Sequence, residues 1–140
     1  PEGPLWGKKH TGAAVTLDDG RTVTPAELVG PTRRGRTVVY TGDTRPSAHV
    51  AAVARGANLL IHEATFSSEE LARAEETGHS TAAQAARIAA EAEVAQLVLT
   101  HISPRYSREA PELLAEARAI FANVIVAKDG MTLEVPYPDD

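Results

Sequence analysis

From Thr37 onward the chain alternates short apolar runs with helix-like patterns, and this alternation restricts its fold more than any other feature. Thr37, Val38, Val39 and Tyr40 are β-branched or aromatic throughout, which predicts a buried strand. Residues 58–61 and 96–100 predict two more. Between them, a short helix is expected over residues 47–55, ended by Gly56. Ser67 with Glu70 reads as a capping box for a helix to about Glu75, and Thr81 with Gln84 as another for an alanine-rich helix to about Glu93. A further helix is expected over residues 109–121, with Pro111 in its first turn. Two closing strands, residues 123–127 and 131–135, are joined by Lys128, Asp129 and Gly130. Such a pattern predicts an α/β domain, a mostly parallel sheet with helices against it.

The first third is thinner. Residues 1–7 hold two prolines and two glycines around Leu5 and Trp6, so irregular chain is expected, with Trp6 as a buried anchor. Residues 14–17 and 21–24 flank Asp18, Asp19 and Gly20, a hairpin signal. Residues 25–29 suit one helical turn. The connector over residues 30–36 carries three arginines, either as a solvated loop or as a contact for an anionic partner.

At 140 residues and 43% apolar content the chain suits one compact domain with a real core, and it has no apolar run long enough to span a bilayer. The opening Pro1, Glu2, Gly3, Pro4 carries no signal-peptide pattern, so a cytoplasmic location is the default expectation. The absence of cysteine excludes disulfides and thiolate metal sites. A net charge of −5 argues against a nucleic-acid grip built on this chain, because phosphate contacts need clustered Lys and Arg.

Several polar groups fall at the carboxyl ends of the expected strands, where α/β sheets collect their ligands. Asp43 follows the first strand, with Gly42 before it and Pro46 after it. His62 and Glu63 follow the second, and His101 follows the third. Gly78, His79, Ser80 and Thr81 form a loop at a helix start, whose amides favour nearby negative charge. Carboxylates and imidazoles are ligands of hydrolytic zinc sites. Each also has an ordinary structural reading. Asp43 can be a turn former or a cap, His101 a satisfied structural residue, His62 and Glu63 caps of the next helix, and His79 a surface loop residue.

Taken together, Tyr40 to Pro46, then His62, Glu63, Ala64 and Thr65, then Gly78 to Thr81, then Leu99 to Tyr106, occur in the order found in ribonuclease Z. This is the transfer-RNA 3′-processing endonuclease family of the metallo-β-lactamase superfamily, and the chain resembles it along nearly its whole length. Gly3, Pro4, Leu5, Trp6, Gly7 and Ala127 to Met131 are similar to it as well. The resemblance implies the C-terminal half of the αββα metallo-β-lactamase sandwich, a mixed sheet with helices packed on one face, spanning residues 1–140 as a single domain.

The resemblance also implies roles. Asp43 matches a carboxylate that bridges two zinc ions, and His101 matches the last histidine ligand of one of them. Glu63 and His79 match the pair that hands a proton to the leaving 3′-oxygen. Arg105 and Ser103 are expected to steady the site or the phosphate, and His62 to support its loop; His10 and His49 have no assigned role. The family's His-x-His-x-Asp-His motif has no match here, so an N-terminal half is expected to complete the centre. Asp43 and His101 supply two ligands where a catalytic zinc takes about three from protein, so tight binding by this chain alone is not expected.

The implied function is zinc-dependent removal of the 3′ trailer from precursor tRNA, with activity depending on the N-terminal half. An uncovered apolar sheet face is expected to pair with that half or with a second copy in a homodimer. The alternatives are half of another superfamily phosphodiesterase or esterase, and a non-catalytic interaction module.

Overall fold

The computed structural model describes residues 11–28 and 34–137. The chain divides into two compact units, Pro1–Arg33 and Arg34–Asp140. Trp6, His10 and Arg33 lie outside the described residues.

The first unit contains the expected hairpin. Strands β1 (Val15–Thr16) and β2 (Thr22–Val23) pair antiparallel, Val15 opposite Val23. Gly20 closes the turn at φ +82°, a conformation that a side chain disfavours. One helical turn follows, α1 (Pro25–Leu28), where Glu27 reaches back to the Thr24 amide at 2.7 Å.

The second unit is built on four strands, β3 (Val38–Tyr40), β4 (Leu59–Glu63), β5 (Gln96–Thr100) and β6 (Val124–Val126), paired in the order of the sequence. Every pairing among them is parallel, and among the described residues antiparallel pairing is confined to the hairpin of the first unit. The crossovers carry α2 (Ala48–Val53), a 3₁₀ turn (Ser68–Glu70) with α3 (Leu71–Thr77) and α4 (Ala82–Glu91), and α5 (Pro111–Arg118). When parallel strands follow one another in sequential order, crossovers of one hand bring every helix to the same face. The core lies at that face. Leu60, Leu97, Leu99, Val124 and Val126 of the strands meet Ala85, Ala86 and Ala89 of α4 and Leu113 and Ala117 of α5. Small residues along α4 let its backbone settle close to the sheet without leaving voids.

The Thr81 capping box forms in full, its hydroxyl accepting from the Gln84 amide and the Gln84 side chain accepting from the Thr81 amide. Three expectations are corrected. The Ser67 side chain caps nothing; the Tyr106 hydroxyl donates to it at 3.2 Å and accepts from the Ser67 amide at 2.9 Å. Strand β3 is not buried, because it is the edge of the sheet: Val38 is 51% and Tyr40 69% exposed. Residues 131–135 form no strand, and the Val135 carbonyl accepts instead from the Arg36 guanidinium at 3.1 Å. Among the described residues no helix is long and apolar enough to cross a membrane.

Parallel pairing sends all four strand ends to one edge of the sheet. The loops after Tyr40, Glu63, Thr100 and Val126 therefore gather there.

Candidate metal centre

Asp43 leaves the sheet by a sharp turn. The Thr41 amide continues the β3–β4 ladder to the Ile61 carbonyl at 3.1 Å, and Gly42 then turns the backbone at φ +61°. The Asp43 carboxylate projects from this turn, 60% exposed. His101 is delivered similarly, one residue past β5 and itself left-handed at φ +55°. Non-glycine residues adopt this region rarely, and they do so mostly where surrounding contacts hold them.

Those contacts run to Glu63, the last residue of β4, which is fully buried. Its Oε1 accepts from the Thr44 amide at 2.9 Å and from His79 Nδ1 at 2.7 Å. Its Oε2 accepts from the Thr65 amide at 3.2 Å, the Thr65 hydroxyl at 2.8 Å and the Ser80 amide at 3.0 Å. Burial pushes this carboxyl up, but the Ser80 and Thr44 amides, His79 and Thr65 together hold it below its ordinary value. One ionised side chain thus fastens the Asp43 loop, the chain after β4 and the His79 loop. The Ser80 hydroxyl adds a 2.7 Å bond to the Thr44 carbonyl.

The result is a cluster. Ligand atoms of Asp43, His79 and His101 all lie within 4.8 Å of one another. His101 Nε2 is 3.5 Å from Asp43 Oδ1, and the His79 and His101 rings stack with centroids 5.1 Å apart. Each imidazole uses Nδ1 within the protein, His79 toward Glu63 and His101 toward the Thr65 hydroxyl at 2.9 Å, so among the described residues Nε2 is the nitrogen left open on both. Two open imidazole nitrogens and an exposed carboxylate are the donor set that zinc and similar divalent cations take, and orientation of the ligand rings through their other nitrogen is usual at such sites. These residues fit a metal ion. The loops after β5 and β6 also bound a cleft of about 730 Å³ whose lining includes His101, Ser103, Tyr106, Arg108 and Lys128.

The other expected residues lie around this cluster. His62 occupies the opposite side of β4 from Glu63, as strand alternation requires. It is fully buried, and its Nδ1 donates to the Glu63 carbonyl at 2.7 Å, while Nε2 has no hydrogen-bond partner among the described residues. Burial holds the ring below its ordinary value against the pull of the Glu63 carbonyl and charge, so it is neutral near pH 7. Arg105 pairs with Glu70 at 2.9 Å, its guanidinium carbon 5.5 Å from the centre of the Phe66 ring. The Ser103 amide donates to the Thr65 carbonyl at 3.1 Å. Thr44, Thr65, Ser80 and Tyr106 fall within the motifs of the sequence, which give them no role of their own. The nearest signal was the placement of Thr65 two residues past the carboxylate that ends β4.

A parallel sheet with its helices on one face and an Asp/His/His cluster at the strands' carboxyl edge define a class of metal-dependent hydrolase folds. Residues 8–102 match the family described as the β-lactamase superfamily domain, and the chain belongs to that family. It is 55% identical, over its full length, to ribonuclease Z of Gemmatimonas aurantiaca, of which it covers 45%. Among solved structures it resembles the metallo-β-lactamase fold protein YhfI of Bacillus subtilis, with TM-score 0.62 and 33% identity over 69% of this chain and 39% of that one. Human tRNase Z, short form, follows with TM-score 0.58 and 32% identity over 73% of this chain and 34% of that one. The α/β architecture is therefore that of the metallo-β-lactamase fold. The chain spans about half the length of the curated relatives it matches.

Proposed function

We propose that this chain supplies the C-terminal part of a zinc-dependent endoribonuclease that removes the 3′ trailer from precursor tRNA. The observation that carries the reading is the meeting of Asp43, His79 and His101 beside the buried Glu63 carboxylate. In it, residues 1–140 act as one domain, Asp43 and His101 hold metal, and the missing ligands come from an N-terminal half. Zinc held there by Asp43 and His101 together with ligands of the N-terminal half would acidify a water and offset charge on the phosphate. Glu63 keeps His79 oriented, and His79 gives its proton to the departing 3′-oxygen. Arg105, Ser103 and His62 hold the loops that present these groups.

The exposed Val38 and Tyr40 at the sheet edge support a further covering element, either the N-terminal half or a second copy in a homodimer. A cytoplasmic setting and precursor tRNA as partner belong to the same reading. Its test is zinc content and precursor-tRNA cleavage by the chain combined with the N-terminal half of a ribonuclease Z. Cleavage at the 3′ trailer supports it; a zinc-loaded complex that cuts simple phosphodiesters and leaves the tRNA intact replaces it with the second reading, another hydrolase of the superfamily. The 4.8 Å cluster also admits His79 as a third ligand in place of the acid.

A further inference from the structure

The two open imidazoles of the cluster share one buried anchor, although only one of them touches it. His79 reaches Glu63 directly. His101 reaches it through Thr65, whose Oγ1 is 2.9 Å from His101 Nδ1 and 2.8 Å from Glu63 Oε2. A threonine hydroxyl has one hydrogen to give. Glu63 Oε2 already accepts two backbone amides, from Thr65 and Ser80, so it acts as an acceptor and takes the hydroxyl hydrogen. The Thr65 oxygen is then left with lone pairs alone, and the hydrogen between it and His101 belongs to Nδ1.

We infer that Thr65 is a positioning residue for His101, relaying the Glu63 carboxylate so that His101 carries its hydrogen on Nδ1 and keeps Nε2 bare beside Asp43. This rests on the proposed reading for the meaning of the bare nitrogen, but the relay itself needs neither metal nor RNA. It also explains how His101 is kept in a left-handed backbone conformation, since the ring is held from the far side by a residue of the neighbouring strand's loop. A hydrogen-bond partner on a ligand ring's other nitrogen fixes both the tautomer and the direction of the ring.

The experiment is nitrogen-15 NMR of the histidine rings in the metal-free 140-residue chain, at a pH where they are neutral, for the wild type, Thr65→Val and Thr65→Ser. Val keeps the shape of Thr without the hydroxyl. The expected wild-type result is an Nδ1–H tautomer for both His79 and His101. In Thr65→Val the two ring nitrogens of His101 should exchange their protonated and unprotonated shifts, toward the Nε2–H form that neutral imidazole favours in water, while His79 is unchanged. Thr65→Ser should retain the wild-type pattern. A wild-type His101 protonated on Nε2 overturns the inference without any variant, and so does a folded Thr65→Val chain with an unaltered His101. Because no cleavage is measured, failure of the nuclease reading leaves these outcomes untouched.

Discussion

His79 Nδ1 lies 2.7 Å from Oε1 of Glu63, a side chain with no solvent exposure. The same carboxylate receives the amides of Thr44, Thr65 and Ser80, so the loop carrying Asp43 and the loop carrying His79 are tied to one atom group. Folding the site and orienting the His79 ring are thus one structural event.

Glu63→Gln tests this directly. An amide brings two hydrogens of its own into a pocket lined with donors, so at least one buried N–H loses its acceptor. We expect a loss of about 2–4 kcal/mol in urea unfolding, the range for breaking a buried charged network. A change too small to resolve would show that the three loops hold one another without it.

Acid should weaken the fold in two stages. Burial lowers His62 from its ordinary 6.5, so the unfolded chain binds that proton more readily and stability falls as the pH drops below about 6.5. Glu63 is held below its ordinary 4.5; its contribution is complete above that value and is lost as the pH falls through the folded-state pKa. Urea midpoints measured from neutral to acid pH should show both declines, and the upper one should vanish in His62→Leu. A single decline confined to the carboxylate range in the wild type would refute the His62 part.

The exposed Asp43 carboxylate is expected to behave differently from the buried Glu63. Asp43→Ala should alter stability by no more than about 0.5 kcal/mol, as for most surface changes, while zinc uptake by the completed enzyme is lost. Unchanged zinc content would remove Asp43 from the ligand set.

His79→Ala separates two roles. As the proton donor, its loss lowers turnover by about 100-fold or more with zinc retained. Loss of zinc in parallel would make it the third ligand instead. Elemental analysis beside precursor-tRNA cleavage gives the answer.

Gly42→Ala meets no atom within 4 Å, so any cost comes from its φ of +61°. We expect a loss of about 1–2 kcal/mol, together with weaker zinc binding because Asp43 is the next residue. Thermal unfolding with and without zinc measures both.

Neighbouring residues along the chain dictate its local structure. The alternation of strand and helix, the Thr81–Gln84 capping box, the first hairpin and the delivery of Asp43 and His101 at strand ends all follow from residues close together in the chain. The departures also have a common cause. Val38 and Tyr40 have strand-forming side chains whether they sit at a sheet's centre or its edge, and only the strand order exposes them. Residues 131–135 alternate like a strand, yet the Val135 carbonyl is taken by Arg36, from the opposite end of the second unit.

The candidate site was legible as residue types and not as a network. Glu63 looks like one more carboxylate after a strand until Thr44, His79 and Ser80, each 16 to 19 positions away, arrive as its donors. Thr65 gains its meaning from His101, 36 positions distant. Hydrogen bonds depend on distance and angle in space, so tertiary structure alone decided which polar groups share a proton and which ring nitrogens stay open.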